Sequence, residues 1–176
     1  DNPPIPAVLD PVLAASSGVS LATEGVAAVL KRRMLPLCRL VTPNLPELAF
    51  LAGTHPARNE DEAVRQAGHL LEAGAQSVLV KGGHAATDRS DDLLIRPGRA
   101  PVRFAAPRLP GGARGTGCML SSAIAANLAR DATLEESVRK AKHYVFRQIL
   151  LAAPDRETAV PAGRRRKDLS AGGNVV

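Results

Sequence analysis

Gly115-Thr116-Gly117-Cys118 sets two glycines and a thiol at the start of an apolar segment of helical period. Successive glycines let the backbone turn so that several N–H groups aim at one point. A helix beginning there adds partial positive charge. The combination cradles an anion, such as a phosphate or a transferring phosphoryl group. The same turn also serves as a plain lead into a helix with no ligand, and a Gly-x-Gly pair alone does not choose between the two. Cys118 falls in the first turn of that helix, where the dipole lowers a thiol's pKa and favours a thiolate. Its plainer reading is a small buried residue, which is how Cys38 is read.

Asn44-Leu45-Pro46-Glu47 also has two readings. Asn at an N-cap with Glu three residues on is a capping box, and Pro46 suits a first turn. Alternatively, Asn44 and Glu47 face a phosphate-bound magnesium, directly or through water, because hard cations prefer oxygen ligands. Spacing favours the cap, and the two roles can coexist. Lys81 precedes Gly82-Gly83 and could meet a nucleotide phosphate as a point charge, or it is a solvated lysine at a strand end. Asp10 is a metal- or phosphate-edge carboxylate, or a turn former before Pro11. His84 could touch a ligand, although a loop histidine is usually solvated. His55, His69 and His143 show no metal-ligand spacing with one another or with the cysteines, so zinc is not expected.

These residues need elements to position them. Residues 7–12 are a short apolar run cut by Asp10-Pro11, so a strand ends there. Thr23 caps a helix over residues 24–35. Leu40-Val41-Thr42 is a strand stopped by Pro43, and a brief helix follows Asn44. Asn59 caps a longer helix that carries Glu60, Asp61 and Glu62 in its positive first turn and stops at Gly74. Residues 77–81 form a buried strand running into Gly82-Gly83. Residues 93–95 and 102–105 are two further short strands, read as a hairpin. Residues 111–115 are a glycine-rich loop, and a helix covers residues 117–130. Thr133-Leu134-Glu135-Glu136 is a capping box that opens the last helix, to about residue 152.

Strands alternating with helices give an α/β fold, a mostly parallel sheet with helices on its faces. Ligands of such sheets sit at the carboxyl ends of the strands. Asp10, Thr42-Pro43-Asn44 and Lys81-Gly82-Gly83 each follow a strand directly, so parallel strands would bring all three to one edge.

Composition narrows the partners. A chain of 176 residues is about one domain. The few aromatics, Phe50, Phe104, Tyr144 and Phe146 with no Trp, argue against a stacking platform for single-stranded nucleic acid. A net charge of +6 by itself admits a polyanion. Residues 154–176 carry five basic and three acidic residues, including Arg164-Arg165-Arg166-Lys167, and read as a disordered basic tail. Two cysteines exclude a disulfide scaffold and suit a reducing compartment. No stretch reaches the ~18 apolar residues of a membrane helix, and the first residues lack a signal-peptide pattern. A cytoplasmic protein acting on a small molecule, with no membrane or nucleic-acid partner, is the expectation.

Taken together, the segments resemble the ribokinase-like superfamily, and within it the bacterial hydroxymethylpyrimidine/phosphomethylpyrimidine kinases of thiamine biosynthesis. The stretches that carry the resemblance are Val8-Leu9-Asp10-Pro11-Val12, Leu40-Val41-Thr42-Pro43-Asn44-Leu45-Pro46-Glu47, Val80-Lys81-Gly82-Gly83-His84, Ala106-Pro107-Arg108 and Gly115-Thr116-Gly117-Cys118-Met119-Leu120-Ser121. Most superfamily members have Asp where this chain has Cys118. The cysteine points to the pyrimidine kinases, with a branch of pyridoxal kinases second.

The resemblance implies a three-layer αβα sheet, a partial kinase domain over residues 1–153, ATP and Mg2+ as cofactors, and a homodimer. It implies that Gly115, Thr116 and Gly117 form an anion hole over the phosphoryl group, with Cys118 beside the acceptor hydroxyl. It places Asp10, Thr42, Asn44, Glu47, Lys81 and Gly83 on the ATP side, and Asn44 and Glu47 near the metal. Met119 stands where relatives usually have Thr, and Arg114 where they often have His. The match opens at the family's mid-sheet strand, so roughly a hundred acceptor-side residues, a domain-sized piece, are expected to lie outside this chain. A non-catalytic nucleotide-binding remnant is therefore the alternative, with weak ATP binding and little turnover by this chain alone. A cysteine hydrolase built on Cys118 is the third reading; it needs a base in reach, and His84 is the only tempting one.

Overall fold

The structure is a computed structural model and describes residues 5–13, 23–82, 88–109 and 115–152. Its frame is one five-stranded sheet in the order β1-β2-β3-β4-β5: β1 (Val8–Leu9), β2 (Leu40–Val41), β3 (Val78–Val80), β4 (Asp92–Ile95) and β5 (Val102–Phe104). The first three strands are parallel, and β4 and β5 continue the sheet as an antiparallel hairpin. The expected strands are all present, with ends shifted by a residue or two.

Side chains alternate across a strand, so each strand feeds two cores. Val41, Val78, Val80, Leu93 and Ile95 face one side, where they meet Leu48 and Leu51 of α2 (Leu45–Ala52) and Ala67 and Leu70 of α3 (Glu60–Glu72). Leu40, Leu79, Leu94 and Phe104 face the other side. There they meet Leu120 and Ile124 of α4 (Thr116–Leu128) and Val138 and Ala141 of α5 (Leu134–Ala152). Apolar residues on both faces oblige the sheet to carry helices on both faces, which is the three-layer arrangement.

The helix caps follow the sequence closely. Asn59 accepts from the Glu62 N–H at 2.9 Å, and Thr133 and Glu136 cap each other at the start of α5. The first helix departs from expectation. α1 (Glu24–Val29) gives way to a π-helical turn at Leu30–Met34 and a 3-10 turn at Leu35–Leu37. Pro36 has no N–H to continue an α-helix, and it falls inside the closing 3-10 turn. Thr23 stands at the N-cap but makes no side-chain cap bond. Gly83, His84, residues 111–114 and the basic tail lie outside the described residues.

Leu79 is fully buried at the centre of the sheet. Leu79→Ala should lower the unfolding free energy by about 2–5 kcal/mol in urea titration. A loss under about 1 kcal/mol would contradict the two-sided core.

Candidate active site

Three parallel strands end side by side, and the residues that follow them meet. The Lys81 N–H donates to the Pro43 carbonyl at 2.8 Å, extending the β2–β3 register past the last strand residue. The Lys81 ammonium turns back over the edge. Nζ donates to Asp10 Oδ1 at 2.8 Å and lies 3.8 Å from Glu47 Oε2. The Lys81 side chain is only 11% exposed, so it is a buried, paired cation and not a solvated strand-end lysine. α4 comes in from the other layer with its first turn against this group. A Cβ on Gly117 would stand 3.2 Å from Lys81 Nζ, so a glycine there lets the ammonium sit directly on the helix start.

Asn44 and Glu47 form the complete capping box. Asn44 Oδ1 accepts from the Glu47 N–H at 2.8 Å, and Glu47 Oε2 accepts from the Asn44 N–H at 2.8 Å. The box starts α2 and also fixes the Glu47 carboxylate beside Lys81. The geometry thus shows the capping reading of this segment. Thr42 is fully buried. Its Oγ1 lies 2.8 Å from Ser121 Oγ and 3.4 Å from Asp10 Oδ1, and Ser121 donates to the Gly117 carbonyl at 3.1 Å. A hydrogen-bonded chain thus ties the end of β2 to the first turn of α4.

Gly115 caps α4 in the left-handed region, with φ 78, a conformation that favours glycine. Its own Cβ position is open, and no side chain among the described residues caps the helix. The first N–H groups of a helix have no partner within it, so this end can take an external acceptor. Cys118 is exposed in that first turn. Its pKa is raised, against the expectation of a lowered one. A hydrogen bond with the Asp10 carboxylate is the main cause, followed by desolvation and the negative charge of Asp10, with Lys81 opposing them. The carboxylate beside the sulfur thus holds the thiol above its ordinary value. Cys38 is buried in the core, as expected.

Asp10 and Glu47 bring two carboxylates to this edge, with the Lys81 ammonium between them. Two carboxylates, without a dedicated cage, suit magnesium, which is held by few protein oxygens together with water and phosphate. Among the described residues no cluster of three or more His, Cys, Asp or Glu could hold a metal alone. Asn44 Oδ1 and Glu47 Oε2 each already accept one backbone N–H, and Asp10 Oδ1 accepts from Lys81.

Three residues of this neighbourhood are not legible as site residues in the sequence. Ser121 looks like an ordinary helix residue. Asp92 and Lys142 lie 50 residues apart and join in a buried ion pair behind Gly82. The one available signal is a carboxylate, Asp92, opening the apolar run of β4.

The fold agrees with the comparisons. The family model described as phosphomethylpyrimidine kinase matches residues 1–161. A hydroxymethylpyrimidine/phosphomethylpyrimidine kinase of Rhizobium meliloti is 44% identical over 83% of this chain and 55% of its own length. A solved phosphomethylpyrimidine kinase from Clostridium difficile superposes with TM-score 0.67 at 30% identity, covering 83% of this chain and 58% of that one. A pyridoxal kinase from Staphylococcus aureus, solved in complex with ADP, superposes with TM-score 0.72 at 30% identity, covering 79% of this chain and 50% of that one. The chain thus spans little more than half the length of the relatives it matches here. Among the described residues no helix is long and apolar enough to cross a membrane. From the strand-end motifs to the glycine turn of α4, the chain belongs to the phosphomethylpyrimidine kinase family.

Proposed function

We propose that this chain is the phosphoryl-transfer side of an ATP-dependent kinase. Its acceptors are hydroxymethylpyrimidine and then the monophosphate so formed, in thiamine biosynthesis and in the cytoplasm. The observation that carries the proposal is the meeting of Lys81, Asp10, Glu47 and Cys118 at the first turn of α4. In this reading Lys81 neutralises phosphate charge, with Asp10, Thr42, Asn44, Glu47 and Gly83 completing the nucleotide side. The backbone of Gly115, Thr116 and Gly117 receives the phosphoryl oxygens as charge develops on them. Asn44 and Glu47, with Asp10 beside them, would hold Mg2+, which when bound neutralises phosphate charge. A homodimer belongs to the same proposal.

The bond from the γ-phosphorus to the bridging oxygen breaks, and one to the acceptor oxygen forms. Such transfers pass through a loose transition state, so positioning and charge matter more than proton removal. A thiol with a raised pKa is then adequate. Cys118, hydrogen-bonded to Asp10, can pass the hydroxyl proton of the first acceptor toward a carboxylate. The second acceptor, a phosphate monoester, is already ionised and needs little of this. The pyridoxal kinase likeness supports a second reading, a pyridoxal-type acceptor on the same machinery.

MgATP should raise the melting temperature of the chain, and Lys81→Ala should abolish most of that gain. No gain in the unaltered chain would contradict the proposal. Transfer of labelled phosphate, slow in this chain, should favour hydroxymethylpyrimidine over pyridoxal; the reverse order would establish the second reading. Cys118→Ala should slow the first transfer more than the second, and equal losses would remove Cys118 from the proton path.

The raised pKa of Cys118 gives a second test. Less thiolate at neutral pH means slower alkylation. Asp10→Asn removes the charge that holds the proton, so iodoacetamide should then modify Cys118 several-fold faster near pH 7. An unchanged rate would show that Asp10 does not control the thiol.

A further inference from the structure

Asp92 opens β4, and its carboxylate is 5% exposed. Its two oxygens have different partners. Oδ1 accepts from the Gly82 N–H at 2.9 Å, and Oδ2 accepts from Lys142 Nζ at 2.5 Å. Lys142 reaches in from α5 and also donates to the Ser90 carbonyl at 2.6 Å. Gly82 itself is wedged. A Cβ there would stand 1.7 Å from the Asp91 carbonyl oxygen, so only glycine lets the backbone lie this close. Lys81 is therefore held from both sides along the chain. Its own N–H is fixed on Pro43, and the next N–H is fixed on Asp92.

A buried ion pair adds little stability over a well-packed apolar pair of the same volume. Burial pushes the Asp92 carboxyl up, and Lys142 acts against that shift. Stability alone thus gives no reason for charges here. What an apolar pair cannot supply is an acceptor for the Gly82 N–H, one residue from the ammonium that meets Asp10 and Glu47.

We infer that Asp92 and Lys142 are positioning residues for Lys81: α5 supplies a buried cation that holds the Asp92 carboxylate, the carboxylate holds the Gly82 N–H, and this sets where the Lys81 ammonium meets nucleotide phosphate. The inference rests on the nucleotide reading above. It makes α5, on the far side of the sheet's hairpin from β1, part of the phosphate site without touching the ligand.

Two double variants of the full chain test it. D92N/K142M removes both charges and keeps an oxygen acceptor for Gly82. D92L/K142M removes the charges and the acceptor together. The readout is the ratio of ADP to adenosine affinity by NMR titration, with folding checked by circular dichroism. A general loosening of the fold weakens both ligands, whereas misplacing Lys81 weakens only the phosphate-bearing one. D92N/K142M, which keeps the acceptor but releases it from α5, should lower the ratio about threefold, and D92L/K142M about tenfold. Equal ratios in the two variants would overturn the inference. If D92L/K142M does not fold, the ratio is read in Lys142→Gln, where a fall of about threefold supports the inference and no change overturns it. Failure of the unaltered chain to bind ADP would overturn the nucleotide reading itself, and this inference with it.

Discussion

An ammonium group only 11% exposed has to be paired, and Lys81 finds its partners on two other strands' ends. Asp10 follows β1, and Glu47 is the fourth residue after Pro43. Neither reaches Lys81 unless the three strands run parallel and end level. The pairing therefore constrains the sheet's register as much as the site's charge. It also constrains α4, because the first turn of that helix packs so close to Lys81 that a Cβ on Gly117 would stand 3.2 Å from the ammonium nitrogen. Breaking the cluster by removing one partner would leave a buried charge uncompensated, which is far more costly than never having had the pair.

The same cluster determines the chemistry open to Cys118. A thiol at a helix start is usually activated, yet here it shares a hydrogen bond with Asp10 and keeps its proton. A cysteine hydrolase needs a thiolate nucleophile, and this environment opposes one. Phosphoryl transfer asks for less: a place for the phosphoryl oxygens, compensation of charge, and a modest route for one proton.

Much of this was legible from local signals. Asn44, Asn59 and Thr133 each announce a helix start within four residues, and each forms its cap. The convergence of Asp10, Asn44 and Lys81 follows from strand order plus parallel pairing, which alternating strands and helices imply. What escaped the sequence depends on contacts through space. The pKa of Cys118 is decided by a carboxylate 108 positions away along the chain. The Asp92–Lys142 pair has no spacing motif, because β4 and α5 are brought together only by the second core. The first helix ends early, with Pro36 inside the closing 3-10 turn, a boundary that capping residues do not reveal.

In the proposed kinase a nucleotide's phosphates lie between Lys81 and the start of α4. Backbone amide resonances report that placement directly. On addition of MgADP to the chain, the amides of Gly82, Gly115, Thr116, Gly117 and Cys118 should show the largest shifts, while those of α3 on the opposite face stay in place. Saturable binding with the largest shifts on α3, or no shift at the start of α4, would contradict it.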